Sequence, residues 1–477
     1  MHLTNLMRYL STLTLVIALM TCTRSGSDEE TTTKLSFCGN AEFAVPSFGY
    51  GESDHGVVAF NDSNDLCVAF QTRSNYPDGP WQVEAVVLEY MGEGQWDCPS
   101  RSSVLVLGSP QGVLPSADQE ECKKPDIVAI GDDFFVVWTR LDQSDLQTNP
   151  ARTGIIECAS IRKDSSGWTL DTSSAGVGFP LDSLVVPGRA GCMPALARLD
   201  QSSPYSIGVV YTSETARSIG TIEFEYSVQF LGVNPNDLTS FTGPHSLVDD
   251  VPFDWNASDL SGRILPDAVG DDDGNLVVIW EALEDDGTGT NSRLGSIHIA
   301  SFSDPTAGLP STSPPLDGRQ DYQIRRRPNL STEAGSPNTL LASWGVGFDT
   351  TNGNALGDWD TTVLLLDMTN LTAGQPAVTE LPFPNLPNLH HKFPLPAIHG
   401  GQSTCFLTEG NYSLSFWNGD PSPEPEVSLL TTSTVPATRP SVAAGELEDS
   451  RSILAATWEA PDASSSRDIL YIRVFEG

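Results

Sequence analysis

A short unit recurs along this chain and decides what it can fold into. Its clearest copy is Pro266–Trp280, PDAVGDDDGNLVVIW: a proline, a short strand, an acidic Gly/Asn turn, and an apolar strand ending in tryptophan. Further copies open at Pro125 (ending at Trp138), Pro194 (Tyr211), Pro328 (Trp344), Pro396 and Pro440 (Trp458). An earlier one runs from Val57 to Phe70 without the proline. The anchors 57, 125, 194, 266, 328, 396 and 440 are 68, 69, 72, 62, 68 and 44 residues apart. Seven units at a loosely fixed spacing mean a repeat architecture, and the spacing is too long for helical repeats.

Each unit continues with a third apolar or alternating segment, such as VEAVVLEY (83–90), GIIECASI (154–161) and ILYIRVF (469–475). Most add a shorter fourth: SSVLVLG (102–108), SLVVP (183–187) or EVSLLTT (426–432). Alternation, β-branched content and Gly/Pro/Asp/Asn punctuation read as strand throughout. The expected fold is all-β: a seven-bladed β-propeller over residues 34–477, with six blades as the alternative if the last two units merge. The anchor proline fits a first strand with an unpaired side, because proline has no N–H to donate to a ladder. The aromatics at the end of the second strand are expected to fill the core between blades. The chain ends on a third strand, so KLSFC (34–38) or EFAVPSF (42–48) is expected to supply the missing fourth and close the ring.

Residues 1–21 read as a signal peptide, with Arg8 in a basic start and an apolar stretch, Leu10–Met20, too short to span a bilayer. The run Leu19-Met20-Thr21-Cys22 resembles a bacterial lipobox, which implies that Cys22 is lipidated. Residues 22–33 carry no large apolar side chain after Cys22 and suit a flexible tether. The expected address is extracytoplasmic: anchored in the cell envelope by lipid, or secreted. The membrane is then met only through that lipid.

The net charge is −37, from 62 acids against 25 bases. Nucleic acid and anionic membrane surfaces are therefore excluded as partners by repulsion. Eight cysteines behind a signal point to an oxidising compartment. Cys98–Cys122 and Cys158–Cys192 are the expected disulfides, since each pair brackets the end of one unit and the start of the next. No C-x-x-C occurs, and no metal set is expected. Calcium at acidic turns such as Asp271-Asp272-Asp273-Gly274-Asn275 is the one cofactor the sequence allows, although Asp/Asn-Gly is also ordinary hairpin chemistry. His390, His391 and His399 have no acid or cysteine at ligand spacing and read as loop residues.

Lys124, Arg327 and Arg439 each precede an anchor proline. In a propeller these equivalent positions converge at one mouth of the central channel, where they make a candidate anion site. Asp126 and Asp267, each just after the proline, are candidate channel-side carboxylates. The repeated Pro–small–apolar, Asp/Gly turn, Val-x-Trp pattern resembles the sialidase-like propellers of secreted bacterial lipoproteins. That resemblance implies the propeller fold over residues 40–477. The Ser-x-Asp-x-Gly-x-Thr-Trp boxes of sialidases are absent, and no Tyr/Glu nucleophile pair accompanies Arg327 and Arg439. No catalytic residue is assigned. The expected function is a non-enzymatic, monomeric lipoprotein whose propeller binds a protein, glycan or envelope component. The alternative is a sialidase-like glycoside hydrolase or lyase acting at the channel mouth.

Overall fold

The computed structural model describes thirty strands and their adjoining turns between Phe43 and Glu476; residues 1–42 and most of the longer inter-strand loops lie outside the described residues. The signal peptide, Cys22 and the tether are thus outside them. Among the described residues there is no α-helix, and none long and apolar enough to cross a membrane.

The strands group in chain order. After β1 (Phe43–Ala44) the first sheet holds β2 (Glu52–Phe60), β3 (Leu66–Arg73), β4 (Gln82–Leu88) and β7 (Leu105–Gly108), with β5 (Tyr90–Gly92) and β6 (Gln95–Trp96) as a separate ribbon. The second holds β8 (Glu120–Ile130), β9 (Asp133–Asp142), β10 (Gly154–Asp164) and β11 (Gly167–Leu170), with β12 (Phe179–Pro180) also on β10. The third holds β13 (Arg189–Arg198), β14 (Ile207–Ala216), β15 (Phe224–Asn234) and β16 (Asp237–Val251). The fourth holds β17 (Asp267–Gly270), β18 (Leu276–Asp285) and β19 (Arg293–Phe302). The fifth holds β20 (Gln323–Thr332), β21 (Thr339–Asp349), β22 (Leu356–Asp367) and β23 (Ala377–Glu380). The sixth holds β24 (Lys392–His399), β25 (Gln402–Thr408), β26 (Leu414–Trp417) and β27 (Val427–Leu429). The seventh holds β28 (Thr438–Glu446), β29 (Ser452–Pro461) and β30 (Asp468–Glu476), and β1 pairs antiparallel with β30 through Phe43↔Ile472.

Apolar side chains explain how the sheets stack. Second strands such as β3 are buried almost throughout, because both of their faces meet a neighbouring sheet. One core joins the first and second sheets through Val83, Ala85, Phe134 and Trp138. Similar cores join the second and third sheets around Tyr211, the third and fourth around Trp280, and the fourth and fifth around Trp344. Ala397 packs on Leu454 and Ala456 between the sixth and seventh. Phe70 packs on Ile453 and Ile472 between the first and seventh. The first strands also touch in sequence: β2–β8–β13–β17–β20–β24–β28, and β28 again meets β2. The arrangement is all-β and compatible with a β-propeller. The aromatics therefore lie in the core between sheets, as their place in the repeat suggests; a buried Trp alone removes about 200 Å² from water, on the order of 5 kcal/mol.

Every first strand lies at one end of its sheet. In six of the seven, the ladder slips by one residue at the same place, giving a β-bulge opposite the aromatic of the second strand in five and opposite Leu407 in the sixth sheet. The slips fall between Asp54 and Val57, Lys123 and Asp126, Cys192 and Ala195, Arg326 and Asn329, Lys392 and Leu395, and Thr438 and Ser441. The anchor proline sits inside this bulge, where the ladder is interrupted and no N–H is missed. Gly56 replaces it in the first sheet, where a Cβ would stand 2.5 Å from Leu470 Cδ1. In the sixth sheet the bulge holds Pro394, and Pro396 pairs with Cys405, so the repeat there begins two residues before the expected anchor. A slip of two leaves the faces of a strand unchanged, which is why the apolar pattern conceals it.

The two expected disulfides join Cys122 and Cys158, on β8 and β10, to Cys98 and Cys192. Cys67, Cys122 and Cys158 are buried as thiols. Cys158 lies in the apolar layer with Val209 and Tyr211, and Cys122 lies in that of Trp138. Strand alternation turns these side chains into the cores between sheets. Burial pushes the Cys67 and Cys158 thiols far above their usual range. The side chains of Cys98 and Cys192 lie outside the described residues.

Candidate functional site at the seam of the seventh, first and second sheets

The bulge fixes the site. Its first residue is His55, Lys124, Arg327 or Arg439 in the first, second, fifth and seventh sheets. All four have left-handed backbones, with φ of 49°, 57°, 55° and 48°. Such a conformation costs a non-glycine residue roughly 1 kcal/mol or more and persists only where its surroundings hold it. A recurrent hydrogen bond does so. His55 N–H donates to Glu459 Oε1 (2.7 Å), Lys124 N–H to Gln71 Oε1 (3.0 Å) and Arg327 N–H to Glu281 Oε2 (2.9 Å). Each acceptor directly follows the aromatic of the preceding sheet: Trp458, Phe70 and Trp280. Each latch therefore ties one sheet to the next.

Where the seventh sheet meets the first, the latch is elaborated. Asp54 Oδ1 lies 2.5 Å from His55 Nδ1 and also accepts from Arg439 Nη1. Gln71 Nε2 donates to Asp54 Oδ2 at 3.3 Å, and Arg439 Nη1 reaches Glu459 Oε2 at 3.1 Å. On the far side of the imidazole, His55 Nε2 meets Lys124 Nζ. Three sheets thus contribute to one line of groups. The Glu459 side chain is only 1% exposed and that of Asp54 10%, whereas those of His55 and Arg439 are 25% and 44% exposed.

Burial and the neighbours divide the two carboxyls. Burial raises the Asp54 carboxyl, but hydrogen bonds to His55 and Glu459 and the charges of His55 and Arg439 outweigh it and hold it well below the usual range. Burial, then the hydrogen bond to Asp54 and its charge, push Glu459 up to about 10. One proton is therefore shared, with Asp54 ionised and Glu459 protonated. Burial and the Lys124 charge lower His55 to about 4 against the pull of Asp54, so the ring is neutral at pH 7. Burial opposes the Arg439 charge, yet Asp54 and Glu459 raise its pKa overall.

Atoms of Asp54, His55 and Glu459 lie within 4.8 Å of one another, which is metal-ligand spacing. Arg439 and Lys124 already hold the same oxygen and ring nitrogen, and a dication would meet both cations at close range. The group is an ion-pair network with two half-open cationic ends.

Lys124 and Arg439 reach this seam, and Arg327 holds the equivalent position in the fifth sheet. Asp126 and Asp267 serve as latches too: Asp126 Oδ2 accepts Leu196 N–H (2.6 Å) and Asp267 Oδ2 accepts Leu330 N–H (2.7 Å), each from the next sheet. Burial pushes them up to about 7 and about 6, with Asp267 adding its charge to the effect on Asp126. His55, Asp54, Gln71 and Glu459 were missed in the sequence. The signal for His55 was positional, two residues before Val57 where other units carry Lys124 or Arg439. That for Gln71 and Glu459 was their place directly after the second-strand aromatic. His390, His391 and the acidic triplet 271–273 lie outside the described residues, as does the side chain of His399.

Comparison with solved structures gives sialidase-like neighbours at low identity. Trypanosoma rangeli sialidase is 10% identical over 89% of this chain and 55% of its own, with a TM-score of 0.43. This chain thus spans about half of that enzyme's length. A Dyadobacter fermentans protein of unknown function is 10% identical over 91% of this chain and 97% of its own, at a TM-score of 0.48. A Hadza microbial sialidase is 10% identical over 90% and 68%, at 0.41. No protein-family model matches the chain, and no curated protein matches it in sequence.

Proposed function

We propose that this chain is a monomeric, lipid-anchored, extracytoplasmic β-propeller of seven blades, closed by its N-terminal strand, that binds an acidic ligand without catalysis. The ligand class is a carboxylate- or sulfate-bearing glycan or a similar envelope component, held where the seventh, first and second sheets meet. The ring of contacts among first strands and the pairing of β1 with β30 support the closed propeller. The observation that carries the binding reading is the approach of Lys124 to His55 and of Arg439 to Asp54 from the two sheets that flank the first. Arg439 engages Asp54 and Glu459 through Nη1 alone, and its Nε and Nη2 bond nothing among the described residues. A guanidinium edge of this kind is suited to a planar anion.

The hydrolase reading is weaker on geometry. Glycosidases need two carboxyls about 5 Å or more apart on opposite sides of a sugar. Asp54 and Glu459 share a proton, with ligand atoms inside 4.8 Å, while Asp126 and Asp267 are engaged by backbone N–H groups.

Thermal-shift titration of the purified protein with acidic and neutral glycans tests the proposal. Acidic glycans should raise the midpoint by a few degrees, since a ligand at about 100 times its Kd contributes about 2.7 kcal/mol. Changing Lys124 and Arg439 together to Gln should abolish the shift. Equal response to acidic and neutral glycans, or an unchanged shift in the double variant, would sink it.

A further inference from the structure

Lys124 is one of only five lysines in the chain, and its Nζ is placed in a particular way. Asp54 Oδ1 lies 2.5 Å from His55 Nδ1, which fixes the proton on that nitrogen and leaves the Nε2 lone pair toward Lys124 Nζ. An acid that orients a histidine, whose other nitrogen faces a third group, is the arrangement that activates nucleophiles. Asp54 is itself fixed by Gln71 and Arg439. The left-handed bulges at positions 55 and 124 present both side chains at the same level of neighbouring sheets. Lys124 and His55 remain half-buried, so the amine is held yet reachable. Arg439, on the other side of Asp54, keeps two nitrogens unengaged among the described residues.

From this line we propose that Lys124 captures the carbonyl of a small aldehyde or ketone as an imine, with His55 moving the protons. The reaction balances without oxidant or reductant. His55 Nε2 takes a proton from the Lys124 ammonium. The freed lone pair forms the N–C bond while the carbonyl π pair moves to oxygen, which receives that proton. His55 then takes a second proton from nitrogen and returns it to the hydroxyl, which leaves as water. The products are a protonated imine on Lys124 and one water. His55 suits this cycle because Lys124 and burial keep its ring neutral between transfers, and Asp54 stabilises the ring while charged. Asp54 is a positioning residue here. This capture goes beyond acidic-ligand binding and requires no turnover.

The test uses the full-length protein with pyruvate and cyanoborohydride, followed by peptide mass spectrometry. Lys124 should be alkylated about a hundredfold faster than Lys163 or Lys123, the magnitude expected of one well-placed proton-transfer partner at the low end of its range. Asp54→Asn should slow labelling, and His55→Gln should move its pH midpoint upward. Lys124→Arg should remove the label while retaining acidic-ligand binding in the thermal-shift assay, so the two proposals fail separately. Even labelling across the lysines would overturn the capture, and an unchanged rate in Asp54→Asn and His55→Gln would overturn the relay.

Discussion

Gly108 lies so close to Trp138 that a Cβ there would stand 2.5 Å from the indole Nε1. That indole cannot retreat. It donates to Glu157 Oε2 at 2.8 Å, and Glu157 is clamped by Arg140 through Nε and Nη2, at 2.9 and 2.8 Å. Gly108→Ala should therefore destabilise the protein by about 2–3 kcal/mol, read as the midpoint of urea unfolding, because overpacking finds nothing able to yield. Glu459 gives a second test at this scale. If it holds the proton that Asp54 accepts, Glu459→Gln reproduces both its donor and its acceptor and should leave stability at pH 7 within about 1 kcal/mol. Glu459→Ala leaves His55 N–H and Asp54 without that partner and should cost about 2–4 kcal/mol. A Gln variant as damaged as the Ala variant would mean that Glu459 acts as an anion.

The bulged first strand is the element that sets the register of the molecule. Its left-handed residue predicts an unusual ranking at position 327. Arg327→Gly should change stability by no more than about 1 kcal/mol, since glycine adopts that backbone freely. Arg327→Val should lose about 1–2 kcal/mol, because a β-branched side chain resists it; guanidinium denaturation of the two variants decides. This element also shows what was legible in the sequence. The prolines at 125, 194, 328 and 440 and their aromatics were readable because strand alternation and edge position write themselves into residue type. Pro396 misled because a two-residue slip keeps parity, and Pro394 stands close by. The seam could not be read directly: Asp54 and Arg439 are 385 residues apart, and His55 and Glu459 are 404 apart. Only the equivalence of repeats, followed one residue before each proline and one after each aromatic, links them.

For the whole molecule the acids govern the response to pH. Asp126 and Asp267 have folded pKa values of about 7 and about 6, above the ordinary 3.8. The folded state thus binds protons more tightly than the unfolded one. The stability they contribute is full below about pH 4 and is lost as pH rises through 6–7. Glu459 extends this loss toward pH 10, and self-repulsion at a net charge of −37 acts in the same direction. His55 opposes them in a narrower range: its folded pKa of about 4 lies below the ordinary 6.5, so its contribution is lost as pH falls from 6.5 to 4. The melting temperature should pass through a maximum in mild acid and fall by about 2–4 °C or more by pH 8. Asp126→Asn should flatten that decline, and a melting temperature that rises from pH 5 to pH 8 would contradict it. One feature of the fold bears on how such a protein is made. Hairpins within the first six sheets join near neighbours and can form as the chain emerges from the ribosome. The pairing of Phe43 with Ile472 cannot, and contacts this distant in sequence form slowly. Because Arg439 and Glu459 arrive with that same last sheet, an incomplete or still-nascent chain has no finished seam. Ligand capture there would double as a readout that the first and seventh sheets have met.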